Sequence, residues 1–129
     1  MDEGISILIL DDEPIVCNRL KVALQKMGYE VETYTDSVAA LQRLEEKDFD
    51  IVVTDLKMEN VDGIQILEAA KKKNPNTEVI IITGFATSEA AKEALKKGAF
   101  DFIAKPFRLE DLRNVIIQAT EKLQKQKDV

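Results

Sequence analysis

Apolar positions along this chain fall into two alternating kinds of segment. In the first kind nearly every residue is apolar over a short run: Ile5 to Leu10, Ile51 to Thr54 and Val79 to Thr83. Such runs read as strands buried on both faces. Val31 to Tyr34 and Phe100 to Ala104 read as two further strands. In the second kind, apolar residues recur every three or four positions. Val16, Leu20, Ala23, Leu24 and Met27 predict a helix over Pro14 to Met27, ended by Gly28. Asp36 caps a helix running to Glu45, with Ala40, Leu41 and Leu44 on its inner face. Ile64 to Lys72 gives a third helix, stopped before Pro75. Thr87 to Lys97 gives a fourth, ended by Gly98, and Leu109 to about Lys125 a fifth. The pattern is strand then helix, repeated. Short connections and apolar central strands predict an α/β fold: a doubly wound parallel five-stranded sheet with helices on both faces, for which 2-1-3-4-5 is the expected winding, although the sequence alone does not fix the strand order.

A length of 129 residues fits a single domain over 1–129, with its core at about 5–123 and residues 124–129 as a frayed tail or the start of a linker. The net charge of −6 argues against a nucleic-acid or anionic-membrane binder, since both need a basic footprint. No apolar run is long enough to span a bilayer, and the acidic start Met1-Asp2-Glu3-Gly4 is not a signal peptide. With one cysteine, Cys17, no internal disulfide can form, which favours a reducing, cytoplasmic setting. Cys17 itself reads as a small packing residue. There is no histidine, which excludes Ser-His-Asp and Cys-His nucleophile systems and histidine zinc sites. Any metal must be a hard cation held by oxygens.

Ligands of such a sheet collect beyond the carboxyl ends of its strands. The first strand ends in Asp11-Asp12, the third in Asp55, the fourth in Thr83-Gly84 and the fifth in Lys105-Pro106. Carboxylates brought this close repel by about 4 kcal/mol per pair at an effective dielectric near 20. Protonation or a bound divalent cation of the Mg²⁺ type must offset that. The plain alternative is that Asp11, Asp12 and Glu13 cap the first helix. It does not account for a third acid and Lys105 arriving at the same edge. A carboxylate beside a cation, a hydroxyl and an ammonium suits phosphoryl chemistry, in which an Asp can itself be the nucleophile.

In these features the sequence resembles the receiver domains of two-component response regulators, over Ile5 to about Leu123. The matching residues are Asp11-Asp12, Asp55, Thr83, Lys105-Pro106 and Phe102, the last at the family's aromatic switch position. The resemblance implies a flavodoxin-like fold and a phosphorylation-activated switch, not a turnover enzyme. It implies that Asp55 accepts a phosphoryl group from a sensor histidine kinase, and that Asp12, Asp55 and the carbonyl of Lys57 ligate Mg²⁺, with Asp11 acting through water. Thr83 and Lys105 would contact phosphoryl oxygens, Phe102 would turn inward with Thr83, and the Lys105–Pro106 bond would be cis. Met58-Glu59 departs from the family's Met-Pro and loosens that turn, whereas the expected Gly63 is present. The stretches around Thr83 to Thr87 and Gly98 to Phe107 look most like receivers attached to ATP-driven transcriptional activators, which implies ATPase and DNA-binding partners in a longer chain.

Other readings compete. A flavodoxin-like electron carrier needs a Ser/Thr/Gly-rich phosphate loop where this chain has Asp11-Asp12-Glu13-Pro14. A haloacid-dehalogenase-like phosphatase needs Asp-x-Asp and a cap insertion. A degenerate receiver used only for docking would not keep the full acid, Thr and Lys set. Output is expected on the face of the fourth helix, fifth strand and fifth helix. Leu109, Leu112, Ile116, Ala119 and Leu123 form a heptad-like stripe on that last helix. The stripe either packs on the sheet or, if Leu123 lies beyond the sheet and is exposed, starts a two-helix coil and hence a homodimer.

Overall fold

The computed structural model describes residues 4–56, 61–84 and 89–127. Its elements alternate as β1 (Ser6–Leu10), α1 (Pro14–Lys26), β2 (Glu30–Tyr34), α2 (Ser37–Glu46), β3 (Ile51–Asp55), α3 (Gly63–Lys73), β4 (Glu78–Thr83), α4 (Glu89–Lys96), β5 (Asp101–Ala104) and α5 (Leu109–Lys127). All strand pairings are parallel, as the pattern of apolar runs predicts, and the order is β2-β1-β3-β4-β5, the expected winding. Element ends differ from the sequence expectation by a residue or two. α3 begins at Gly63 because Asp62 and Gln65 form a reciprocal capping box, each side chain bonding the other's backbone N–H at 2.9 Å. The start of the expected fourth helix, Thr87, lies outside the described residues.

Strand periodicity divides the core in two. Ile7, Ile9, Ile51, Val53, Ile80 and Ile82 face α1 and α5. Leu8, Leu10, Val52, Val79 and Ile81 face α2, α3 and α4. Because both faces are covered, the three central strands are buried at every position, polar ends included. Burial of these strands is the main stabilising term, at about 25 cal/mol per Å² of apolar surface removed from water.

The structure decides between the two readings of the stripe on α5. Leu123 is only 5% exposed and belongs to the α1/α5 core with Leu112, Ile116 and Ala119, whereas Leu109 is 39% exposed. The sheet face still covers α5 at Leu123, so the stripe is core and gives no free seam for a two-helix coil.

Candidate functional site

The geometry of the acidic edge follows from how the strands end. β1 stops at Leu10, and Asp11 stays against the sheet because its N–H donates to the carbonyl of Tyr34 at 3.1 Å. Its carboxylate is fully buried. Oδ1 accepts the N–H of Glu13 at 2.9 Å, turning the chain into α1, where Pro14 fits the first turn. Glu13 sits at the N-cap but makes no side-chain cap bond, so the acidic run does not serve as a helix cap. Asp12 projects outward and is exposed.

Asp55 ends β3 beside Ile82 of β4 and is 8% exposed. The turn that follows is tight: Gly63 N–H donates to the Leu56 carbonyl at 2.8 Å, and Leu56 N–H to the Ile82 carbonyl at 3.0 Å. A Cβ on Gly63 would lie 2.6 Å from the Asp55 carbonyl oxygen and 2.8 Å from Leu56 Cα, so only glycine permits this approach. Thr83, 1% exposed, ends β4, and its carbonyl accepts the Lys105 N–H at 2.9 Å. The Lys105–Pro106 bond is cis, as expected from the sequence. Lys105 reaches back across the edge, and its Nζ lies 2.8 Å from Asp55 Oδ2 and 3.2 Å from Asp11 Oδ2.

Of these two contacts only the one to Asp55 has hydrogen-bond geometry. Asp11 Oδ2 is buried and has an ion-pair neighbour but no hydrogen-bond partner among the described residues. Burial pushes the Asp55 carboxyl above its usual range; the Lys105 hydrogen bond pulls it back and the nearby Asp11 and Asp12 charges push it up again, leaving it raised. For Lys105 burial acts downward, but the Asp55 hydrogen bond, the close Asp11 carboxylate and the charges of both acids outweigh it and hold the ammonium above its usual value.

One carboxylate oxygen from each of Asp11, Asp12 and Asp55 lies within 4.8 Å of the others. The donors are hard oxygens, one is buried without a hydrogen-bond partner, and Lys105, the one lysine paired with these acids among the described residues, cannot neutralise all three charges. That set fits a small divalent cation. Asp11, Asp12, Asp55 and Lys105 are therefore brought together as the sequence suggests, with Thr83 at the neighbouring strand end. Phe102 on β5 is half-buried against the core on the α2–α4 side. Lys57, Met58, Glu59 and Phe85 lie outside the described residues.

Two contacts near the site have no sequence signal. Ser37 Oγ, at the start of α2, accepts the Val61 N–H at 3.3 Å and ties the β3–α3 connection to the neighbouring helix. Buried Cys17 packs directly behind Asp11, its Sγ 3.4 Å from the Asp11 carbonyl oxygen.

A doubly wound parallel sheet that gathers acids and one lysine at its carboxyl edge defines a class of phosphoryl-accepting signalling domains. Comparison with known proteins places the chain within it. The family model for the response regulator receiver domain matches residues 7–117, and the chain belongs to that family. It is 36% identical over 117 residues to the transcriptional regulatory protein ZraR of Escherichia coli K12, covering 91% of this chain and 26% of that protein. It is 38% identical over 121 residues to the regulatory protein AtoC of the same strain, covering 94% and 26%. A receiver domain protein structure from Clostridium thermocellum superposes with a TM-score of 0.85 at 35% identity, covering 93% of this chain and 97% of that one. The chain thus spans about a quarter of the length of the curated relatives it matches. The family's function is phosphorylation-activated switching in two-component systems. Among the described residues, no helix is long and apolar enough to cross a membrane.

Proposed function

We propose that Asp55 is the phosphoacceptor and that a sensor histidine kinase is its donor. The observation carrying this is the placement of Asp55 at a strand end, nearly buried, 2.8 Å from Lys105 and within 4.8 Å of the Asp11 and Asp12 carboxylates. An Asp55 oxygen attacks the phosphorus of a phosphohistidine; the N–P bond breaks and the imidazole leaves with its electron pair. Lys105 supplies a fixed positive charge for the phosphoryl oxygens, and Thr83 a hydroxyl at the neighbouring strand end. Mg²⁺ held by Asp11, Asp12 and Asp55, with the Lys57 carbonyl, would neutralise charge at the phosphoryl group.

The face beside the site supports docking of a helical partner. A groove of about 1080 Å³ between α1 and the β5–α5 connection is lined by Leu20, Met27 and Phe107 together with Arg19, Lys26, Arg113 and one acid, Glu13. On the same helix Ile15, three residues after Asp12, is 73% exposed. An apolar groove with a cationic rim suits an amphipathic acidic helix bringing the phosphohistidine. In this reading the domain is cytoplasmic, catalyses only its own phosphotransfer and slow dephosphorylation, and controls transcription through ATPase and DNA-binding modules of a longer chain. ZraR, named a transcriptional regulatory protein, supports that output. The signal leaves through Thr83 and Phe102 toward α4, β5 and α5.

Incubation with Mg²⁺ and a small acyl phosphate, followed by intact mass, tests the assignment. The native chain should gain one phosphoryl group and Asp55→Asn none, with its fold retained because the change is nearly isosteric. An adduct of undiminished yield in Asp55→Asn would falsify it.

A further inference from the structure

At the opposite end of the sheet lies a third buried carboxylate, one that phosphoryl chemistry does not use. Glu78 opens β4 and is 1% exposed, on a strand where the pattern asks only for apolar residues. Its Oε2 is 2.9 Å from Lys122 Nζ on α5, and its Oε1 is 3.7 Å from Lys71 Nζ on α3. Oε1 has no hydrogen-bond partner among the described residues. Lys71 is itself engaged by the Pro75 carbonyl at 3.2 Å, and Lys122 stands 5.7 Å from the Phe100 ring. α3 packs on one face of the sheet and α5 on the other. One buried acid therefore holds helices of both layers at the sheet's amino edge.

A buried, half-satisfied carboxylate is a poor source of stability, because desolvation offsets most of the attraction to its partners. It does select geometry: any displacement of the last turns of α5 strands the charge. In ZraR and AtoC the receiver part is N-terminal, so the helix corresponding to α5 leads into the rest of the chain. We infer that Glu78 is a clasp that fixes, through Lys122, the direction in which α5 leaves the domain, with Lys71 bracing it from the other layer. This holds whether or not Asp55 takes a phosphoryl group.

The test is amide hydrogen exchange on the 129-residue chain and on Glu78→Gln, Lys122→Met and, as a control, Lys125→Met. Glu78→Gln keeps the shape and removes the charge; Lys122→Met keeps the stem. In both, exchange at residues 119–125 should accelerate roughly tenfold or more, as expected of a local opening. Amides of β4 and the urea midpoint of Glu78→Gln should stay at native values, and Lys125→Met should change nothing. Unchanged exchange at the end of α5 in Lys122→Met overturns the clasp. So does an equal acceleration across β4 and α5, which would make Glu78 an ordinary contributor to global stability. Should Glu78→Gln fail to fold, Lys122→Met alone decides.

Discussion

At the scale of single residues, the site is a balance of charge that the polypeptide leaves incomplete. Lys105 sits between Asp11 and Asp55 and bonds well only to Asp55. Among the described residues Asp12 is paired with no such cation, and it adds repulsion from the exposed side, which contributes to the raised Asp55 carboxyl. Asp12→Ala should therefore have two opposite effects. Without metal the domain should be slightly more stable, by up to about 1 kcal/mol given how exposed the side chain is. With metal it should lose stabilisation, since one proposed ligand is gone and binding to the folded state is what raises stability. Thermal melts with and without Mg²⁺ read both at once. A mutant that gains as much from Mg²⁺ as the native chain would remove Asp12 from the ligand set. The strand-end acids, Thr83 and Lys105 were legible because each ends or follows an apolar run. The contacts of Ser37 with Val61 and of Cys17 with Asp11 were not, because nothing local in a sequence marks a partner in a distant element.

At the scale of elements, periodicity identified the strands and helices but not the depth at which each residue sits. The stripe on α5 shows why. A three-and-four spacing is common to a helix lying on a sheet and to one seam of a coiled coil. What decides between them is whether the sheet face reaches as far as the fourth turn, and that depends on packing across residues far apart in sequence. It does: Leu123 shares a cluster with Ile5, Leu24 and Tyr29, near the amino edge of the sheet. Leu123→Ala should then behave as a core truncation, costing about 2–4 kcal/mol by lost burial and a residual cavity. Urea denaturation measures it. A cost below about 0.5 kcal/mol, the usual range for a surface substitution, would return the residue to the surface and reopen the coil.

At the scale of the whole molecule, the acidic edge and the α4-β5-α5 face proposed for output belong to the same sheet. The strand pattern made this architecture legible in advance, since five alternating strand and helix segments with apolar centres leave few alternative windings. A switch of this kind is useful only for as long as its phosphoryl group lasts, and lifetime depends on how well water is oriented for attack on the aspartyl phosphate. General-base or water-positioning groups contribute about 10²- to 10⁴-fold. The resemblance to receiver domains implies that such a group would stand two residues beyond Asp55 or two beyond Thr83, and those positions hold Lys57 and Phe85. A protonated lysine cannot take a proton from water and a phenyl ring has no acceptor. Burial of Asp55 further limits approach from bulk solvent. The adduct should accordingly persist for many minutes after the donor is removed. Replacing Lys57 by Asn or Phe85 by Glu, each able to hydrogen-bond water, should shorten it by roughly tenfold or more. Intact mass at timed intervals after desalting follows the decay directly. Loss of the native adduct within seconds, or variants that decay no faster than the native chain, would show that water is oriented by some other group.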